Sequence, residues 1–182
     1  MWCSEVVTPE HIALTDADLR EVAAFALASA EEVLHLAEER LPGDPRPREA
    51  VEAARAFVAG EPRSRRQRVA ALDAHRAAGA AESGAGHHAA MAAGDASASA
   101  YLHPLAQATQ VGHILRATAH AARALELVAD DPEAADRHLR EAVARATSVL
   151  LDVLRRYPTA PTGRTRVALL MSDLDRRLRA RR

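Results

Sequence analysis

The stretch PGDPRPREAVEAARAFVAG, residues 42–60, decides the fold class. Pro42-Gly43 ends whatever precedes it. Pro45 and Pro47 hold φ near about -65° and remove two backbone donors, so the link is stiff. Pro47 suits a first helical turn, where its missing N–H costs nothing. Val51, Ala54, Phe57 and Val58 then share one face, and Gly60 stands where a helix stops. Turn, start, amphipathic helix and stop follow one another within this one unit.

The same grammar extends in both directions. Upstream, Thr15 and Asp18 give a capping-box-like start for a helix to about Leu41. Leu19, Val22, Ala26, Ala30, Val33 and Ala37 form its buried stripe. Downstream, Ser64 caps a helix over Arg65–Ala80. Residues 79–100 mix alanine with glycine. Gly84, Gly86 and Gly94 each cost roughly 1 kcal/mol inside a helix. The segment reads as a turn near 79–86 and an alanine-rich helix to about Leu102, with a disordered linker as the alternative. A helix is predicted from Pro104 to Ala129. Asp131-Pro132 starts the next one, whose stripe (Leu139, Ala142, Val143, Ala146, Val149, Leu150, Val153, Leu154) runs on to Tyr157-Pro158. Val167, Leu170, Met171, Leu174 and Leu178 mark a last helix. No segment alternates as a strand would. The expectation is an all-α, single-domain bundle of about six to seven helices over residues 15–182, after an extended lead-in at 1–14; an irregular solenoid is the other arrangement of such helix pairs.

Composition narrows the class. Of 182 residues 48% are hydrophobic but only 3% aromatic, and alanine dominates the apolar set. That mix favours closely packed helices over sheets. The formal net charge is -1, with every basic residue an arginine. Such a balance gives no whole-protein field for nucleic acid or an anionic membrane. The single cysteine, Cys3, cannot form an internal disulfide and is a weak nucleophile. The N-terminus lacks the basic and apolar regions of a secretion signal, and no window approaches a membrane span.

Chemistry is sparse. No metalloprotease, serine-hydrolase, P-loop or dinucleotide motif occurs. The predicted helix 104–129 carries little charge, and one side presents His103, Gln107, Gln110, His113 and His120. A side of this kind is either core polar filler or a pocket for a ligand or partner. His113 and His120 stand seven residues apart, about 10.5 Å of helical rise, too far to chelate one ion as a pair. No metal and no cofactor is expected. His87-His88 cannot be joined to the others from sequence. Asp44, Arg46 and Arg48 exceed what a structural link requires; they either brace the turn against the glutamates of the first helix or belong to a functional surface. Two arginine clusters, Arg63/Arg65/Arg66/Arg68 and Arg176/Arg177/Arg179/Arg181/Arg182, lack interleaved aromatics, and a solvated face or tail is the preferred reading.

PGDPRPREAVEAARAFVAGE resembles the signature of the immunity-protein-5-like group of bacterial polymorphic toxin systems. FALASAEEVLHLAEERLPGD and AYLHPLAQATQVGHILRATAHAARALEL are similar to further helices of that family, and RATSVLLDVLRRYP more loosely. The likeness covers about residues 15–157. It implies an all-helical, cytoplasmic, non-enzymatic protein whose partner is a toxin domain, and it carries no site residues. The alternative reading is a small helical enzyme or ligand-binding protein of specialised metabolism, built around the histidine and glutamine side of helix 104–129. Nucleic acid is a third and weaker partner, and a membrane is not expected.

Overall fold

The computed structural model describes residues 10–181. Among them are eight α-helices: α1 (Asp16–Arg40), α2 (Arg46–Val58), α3 (Arg65–Ala80), α4 (Ala85–Ala98), α5 (Val111–Ala129), α6 (Pro132–Arg145), α7 (Ser148–Arg155) and α8 (Arg166–Ala180). Two single 3-10 turns, Ser99–Tyr101 and Ala108–Gln110, lie between α4 and α5. The all-α class holds, with one or two helices more than expected. The first nine residues of the predicted lead-in, Cys3 among them, lie outside the described residues.

The unit that set the fold class forms as read, and its hydrogen bonds say why. Pro42 and Gly43 occupy the centre of a turn closed by Asp44 N–H to the Leu41 carbonyl at 3.0 Å, with Gly43 at φ 81°. Pro47 lies in the first turn of α2. At the other end Gly60 takes φ 108°. Its N–H reaches the Phe57 carbonyl and that of Glu61 reaches Ala56, the double bond of a Schellman stop. Capping boxes start α1 (Thr15 with Asp18) and α3 (Ser64 with Gln67).

α1 runs through the middle, packed on α4 and α5, and two cores form on it. One is aliphatic: Leu19, Val22 and Phe25 of α1 meet Ile114 and Leu115 of α5, Leu139 of α6, Leu154 of α7 and Leu174 and Leu178 of α8. The other is made largely of alanine from α1 to α5, including Ala26, Ala30, Ala37, Ala54, Ala74, Ala93 and Ala121. Small side chains let these helices approach closely. A Cβ at Gly86 would fall 2.4 Å from the Arg40 Cβ, and one at Gly94 would fall 2.4 Å from the His75 ring. Those two glycines therefore sit inside α4 despite their propensity cost, because α1 and α3 leave no room for a methyl. Segment 79–100 is helix, not linker, from Ala85.

Two predicted helices are corrected. The helix placed at 104–129 begins at Val111. The backbone of 104–106 is bonded elsewhere: Ile12 N–H donates to the Pro104 carbonyl at 2.9 Å, and Ala106 N–H to the Glu10 carbonyl at 2.8 Å. Pairing with the lead-in thus replaces helical hydrogen bonding there. The long helix predicted up to Tyr157 breaks at Ala146. Thr147 Oγ1 accepts from Leu150 N–H at 3.1 Å and restarts it as α7. Arg181 donates to the Ala146 carbonyl at 2.8 Å, which satisfies an acceptor that the break leaves open. The apolar stripe runs through both pieces, so periodicity alone hides the cap.

Candidate functional site

Asp95 is the single charged residue of α4, in an otherwise Gly, Ala, Ser, His and Met helix. It lies at the junction of α3, α4 and α5 and is 4% exposed. Its Oδ1 is 3.4 Å from His75 Nε2 and 3.8 Å from Arg116 Nη1; its Oδ2 is 3.9 Å from His120 Nε2. Asp95 Oδ2 and His75 Nε2 are buried without a hydrogen-bond partner. The carboxylate is thus ringed by donors that stand just beyond bonding distance.

Beyond His120 the cluster continues into α4. His120 Nδ1 and His88 Nδ1 are 2.9 Å apart, and the ring of His87 meets that of His88 edge-on at 5.1 Å. Burial pushes His88 down to about 4, helped by the charges of His87 and Arg123. Burial likewise pushes His120 down to about 4; Asp95 opposes the shift but does not overcome it. Both rings are therefore neutral at pH 7. One Nδ1 of the pair must donate and the other accept. A proton on His120 Nε2 faces the Asp95 carboxylate, whereas a lone pair there would face a like-signed oxygen. The network thus assigns His120 Nδ1 as acceptor, His88 Nδ1–H as donor and His88 Nε2 as a remaining acceptor.

His88, Arg116 and His120 open onto a groove of about 350 Å³ whose far wall is Thr165, Val167, Ala168 and Met171, at the start of α8. The guanidinium of Arg116 lies over Gly112, where an added Cβ would come within 2.1 Å of Nη2. One rim of the groove thus carries a cation and neutral imidazoles, and the opposite rim is mainly apolar. That combination can accept hydrogen bonds, hold an anionic group at Arg116 and cover an apolar body.

Sequence reasoning anticipated part of this. His113 and His120 face the junction. Burial, and next the charge of Arg116, hold His113 below its ordinary value, against the pull of Asp95. His103 and Gln107 are exposed on the non-helical link before α5. Gln110 accepts from His103 N–H at 3.0 Å, a bond local to that link. Asp44, Arg46 and Arg48 are elsewhere. Arg46 chelates Asp44 at 2.8 Å through Nε, and Arg48 pairs with Glu38 of α1. The hydrogen bond from Arg46 holds the Asp44 carboxyl low. Both pairs brace the α1–α2 turn. Asp95, His75 and Arg116 were missed. The one available signal was an acid alone in an alanine-rich helix.

A second polar cluster joins α1, α5 and α6. Ser29 and Thr118 hydroxyls are 2.9 Å apart, and Arg145 donates to Ser29 while stacking 5.3 Å over the Phe25 ring. Nearby, His138 Nδ1 is 3.0 Å from Glu32 Oε2. The C-terminal arginines are mostly engaged: Arg176 with Asp173, Arg177 with Asp136 and Asp173, Arg179 with Asp175. None of the described helices is long and apolar enough to cross a membrane.

Comparison with known proteins adds one finding. Neither the curated proteins nor the solved structures give a match. A family model described as Imm-5 like putative immunity protein matches residues 13–150, from the start of α1 into α7, so the groove's α8 wall lies beyond the matched span. With three quarters of its length inside that match, the chain belongs to the Imm-5-like immunity protein family.

Proposed function

We propose that this protein neutralises a toxin domain by non-covalent association, acting in the cytoplasm as a single helical domain. The observation that carries the reading is family membership over residues 13–150. The mechanism is occlusion through a charged helix face. The outer side of α3 suits it: Arg65 and Arg68 are exposed beside Val69 and Leu72, which are 39% and 51% exposed, while Arg66 and Arg76 are paired with Glu61 and Asp73. An apolar centre rimmed by cations matches a partner surface with the opposite charge, and such rims set association rate and partner choice. The test is co-purification of the tagged full chain with the toxin-domain product of a neighbouring gene. Retention is expected, with weaker binding and a flatter salt dependence for Arg65→Glu/Arg68→Glu. Absence of binding at micromolar concentration of both proteins refutes it.

A second reading is favoured by one observation, the convergence of His88, Arg116 and His120 on a groove, with Asp95 buried and His75 half-buried behind them. In that reading the groove holds a small anionic ligand that also carries a hydroxyl, with Arg116 as the counter-charge of its anionic end and His88 Nε2 accepting from the hydroxyl. Calorimetric titration with small hydroxycarboxylates and with phosphate tests it. Binding that Arg116→Gln and His120→Asn abolish supports a ligand site, and no saturable binding by any of these anions removes it.

A further inference from the structure

His138 is buried to 1% exposure, and both its ring nitrogens lack a hydrogen-bond partner. Nδ1 lies 3.0 Å from Glu32 Oε2, a contact that holds the Glu32 carboxyl below its ordinary range. Nε2 has no polar neighbour to use, and a buried ring nitrogen without a partner is uncommon, because such groups normally find one. Its surroundings suggest what uses it. Glu141 follows His138 by three residues on α6, so the two side chains share a face. Glu32 approaches from α1 on the other side. One ligand atom from each of Glu32, His138 and Glu141 lies within 4.8 Å of the other two.

We propose that Glu32, His138 and Glu141 bind one divalent first-row transition metal ion. Zinc takes imidazole nitrogen and carboxylate oxygen at about 2.0–2.2 Å in tetrahedral geometry, so two ligands of one ion stand about 3.4 Å apart. The Glu32–His138 contact is already at 3.0 Å, and the widest separation in the trio has to close by up to about 1.4 Å, which a carboxylate rotamer change supplies. Glu32 and Glu141 are exposed and can turn, while the buried imidazole stays fixed. A helix-borne pair three residues apart, completed by a carboxylate from a facing helix, is how bundles build such sites. One nitrogen and two carboxylate oxygens suit zinc or manganese better than magnesium, which keeps an all-oxygen shell. Three protein ligands leave positions open for water or for a partner's side chain.

Access and charge fit. The three residues line an open groove of about 280 Å³ shared with Leu125, Val128, Ala129 and Ala134. Arg137 also lines it, and the charge of Arg145 reaches Glu32 and Glu141. Arg145 is committed to Ser29 and the Phe25 ring and makes no ion pair with either carboxylate. The site is separate from the Asp95 cluster and does not rest on the immunity reading.

Isothermal titration of the EDTA-dialysed full chain with zinc chloride tests it. One ion per chain with micromolar or tighter affinity is expected, together with no heat from magnesium chloride. His138→Ala and Glu141→Gln should each weaken zinc binding about tenfold or more. Glu141 is exposed, so Glu141→Gln carries the result even if His138→Ala fails to fold. His88→Asn/His120→Asn should bind zinc as the parent does. Cobalt(II) should give visible d–d absorption that Glu141→Gln diminishes. No saturable zinc binding, unchanged binding in Glu141→Gln, or loss only in the His88/His120 variant overturns the proposal.

Discussion

Acid should destabilise this protein well before its carboxylates protonate, and the histidine pair is the reason. His88 and His120 have folded values of about 4 against an ordinary 6.5. The unfolded chain therefore binds more protons than the folded one between those limits. Stability is retained above about pH 6.5 and falls as pH drops toward 4. From pH 7 to pH 5 a fully counted histidine of this kind costs about 2 kcal/mol, at about 1.4 kcal/mol per pKa unit. His88 is partly open to the groove, so its share is about half, and the pair together costs about 3 kcal/mol. That is a large part of the ~5–15 kcal/mol that holds a domain together. His113, also held low by burial, acts in the same direction. The carboxylates held below their ordinary values, Asp18, Glu32, Asp44 and Glu126, add their losses only nearer pH 4, so the upper part of the window isolates the histidines. The assay is urea unfolding followed by far-UV circular dichroism at pH 7, 6 and 5, with a constant m-value as the two-state check. The parent should lose about 3 kcal/mol or more across the series. His88→Asn/His120→Asn should start less stable at pH 7 yet lose about 1 kcal/mol or less over the same interval. Equal losses in parent and variant would refute the reasoning.

Three further outcomes follow from the packing. Gly86→Ala should lower the melting temperature by several degrees. The new methyl meets Arg40 Cβ and the Leu36 carbonyl at 2.4 and 2.9 Å. Overpacking of about 1–3 kcal/mol outweighs the ~1 kcal/mol gain in helix propensity, and calorimetry reads the shift. Phe57→Ala, at the inner face of α2 with 1% exposure, should cost about 3–5 kcal/mol in urea unfolding. Burial raises Glu126, but the bonds from Arg166 and Arg123 prevail and keep it low. Glu126 is the carboxylate that ties α5 to Arg166, the first residue of α8. Glu126→Ala should cost about 1–2 kcal/mol, less than breaking a fully buried pair, because both arginines can turn to water. Hydrogen exchange should show α8 losing protection first.

Local chemistry made most of the helices legible. Thr15, Ser64 and Asp131 cap where their side chains predicted, and Pro42, Gly43 and Gly60 supply the backbone angles that their turns require. The errors share one cause. The boundary at Val111 is set by Ile12 and Ala106 reaching across about ninety residues of chain, and the break at Ala146 by a threonine cap inside an unbroken stripe. Periodicity reports which face is buried, not where hydrogen bonds change hands. The site was half legible for the same reason. A sparsely charged helix singled out His113 and His120, but Asp95 and His75 join them only because Gly94 lets α3 and α4 close up. Glu32 and His138 are separated by more than a hundred residues and meet only in the fold.

Immunity itself is tested most directly by titrating the purified full chain into the neighbouring toxin domain while following the toxin's own activity. Occlusion predicts that activity falls linearly and is lost at one molar equivalent, and that Arg65→Glu/Arg68→Glu shifts this endpoint to higher ratios. Full toxin activity in the presence of excess chain would contradict it.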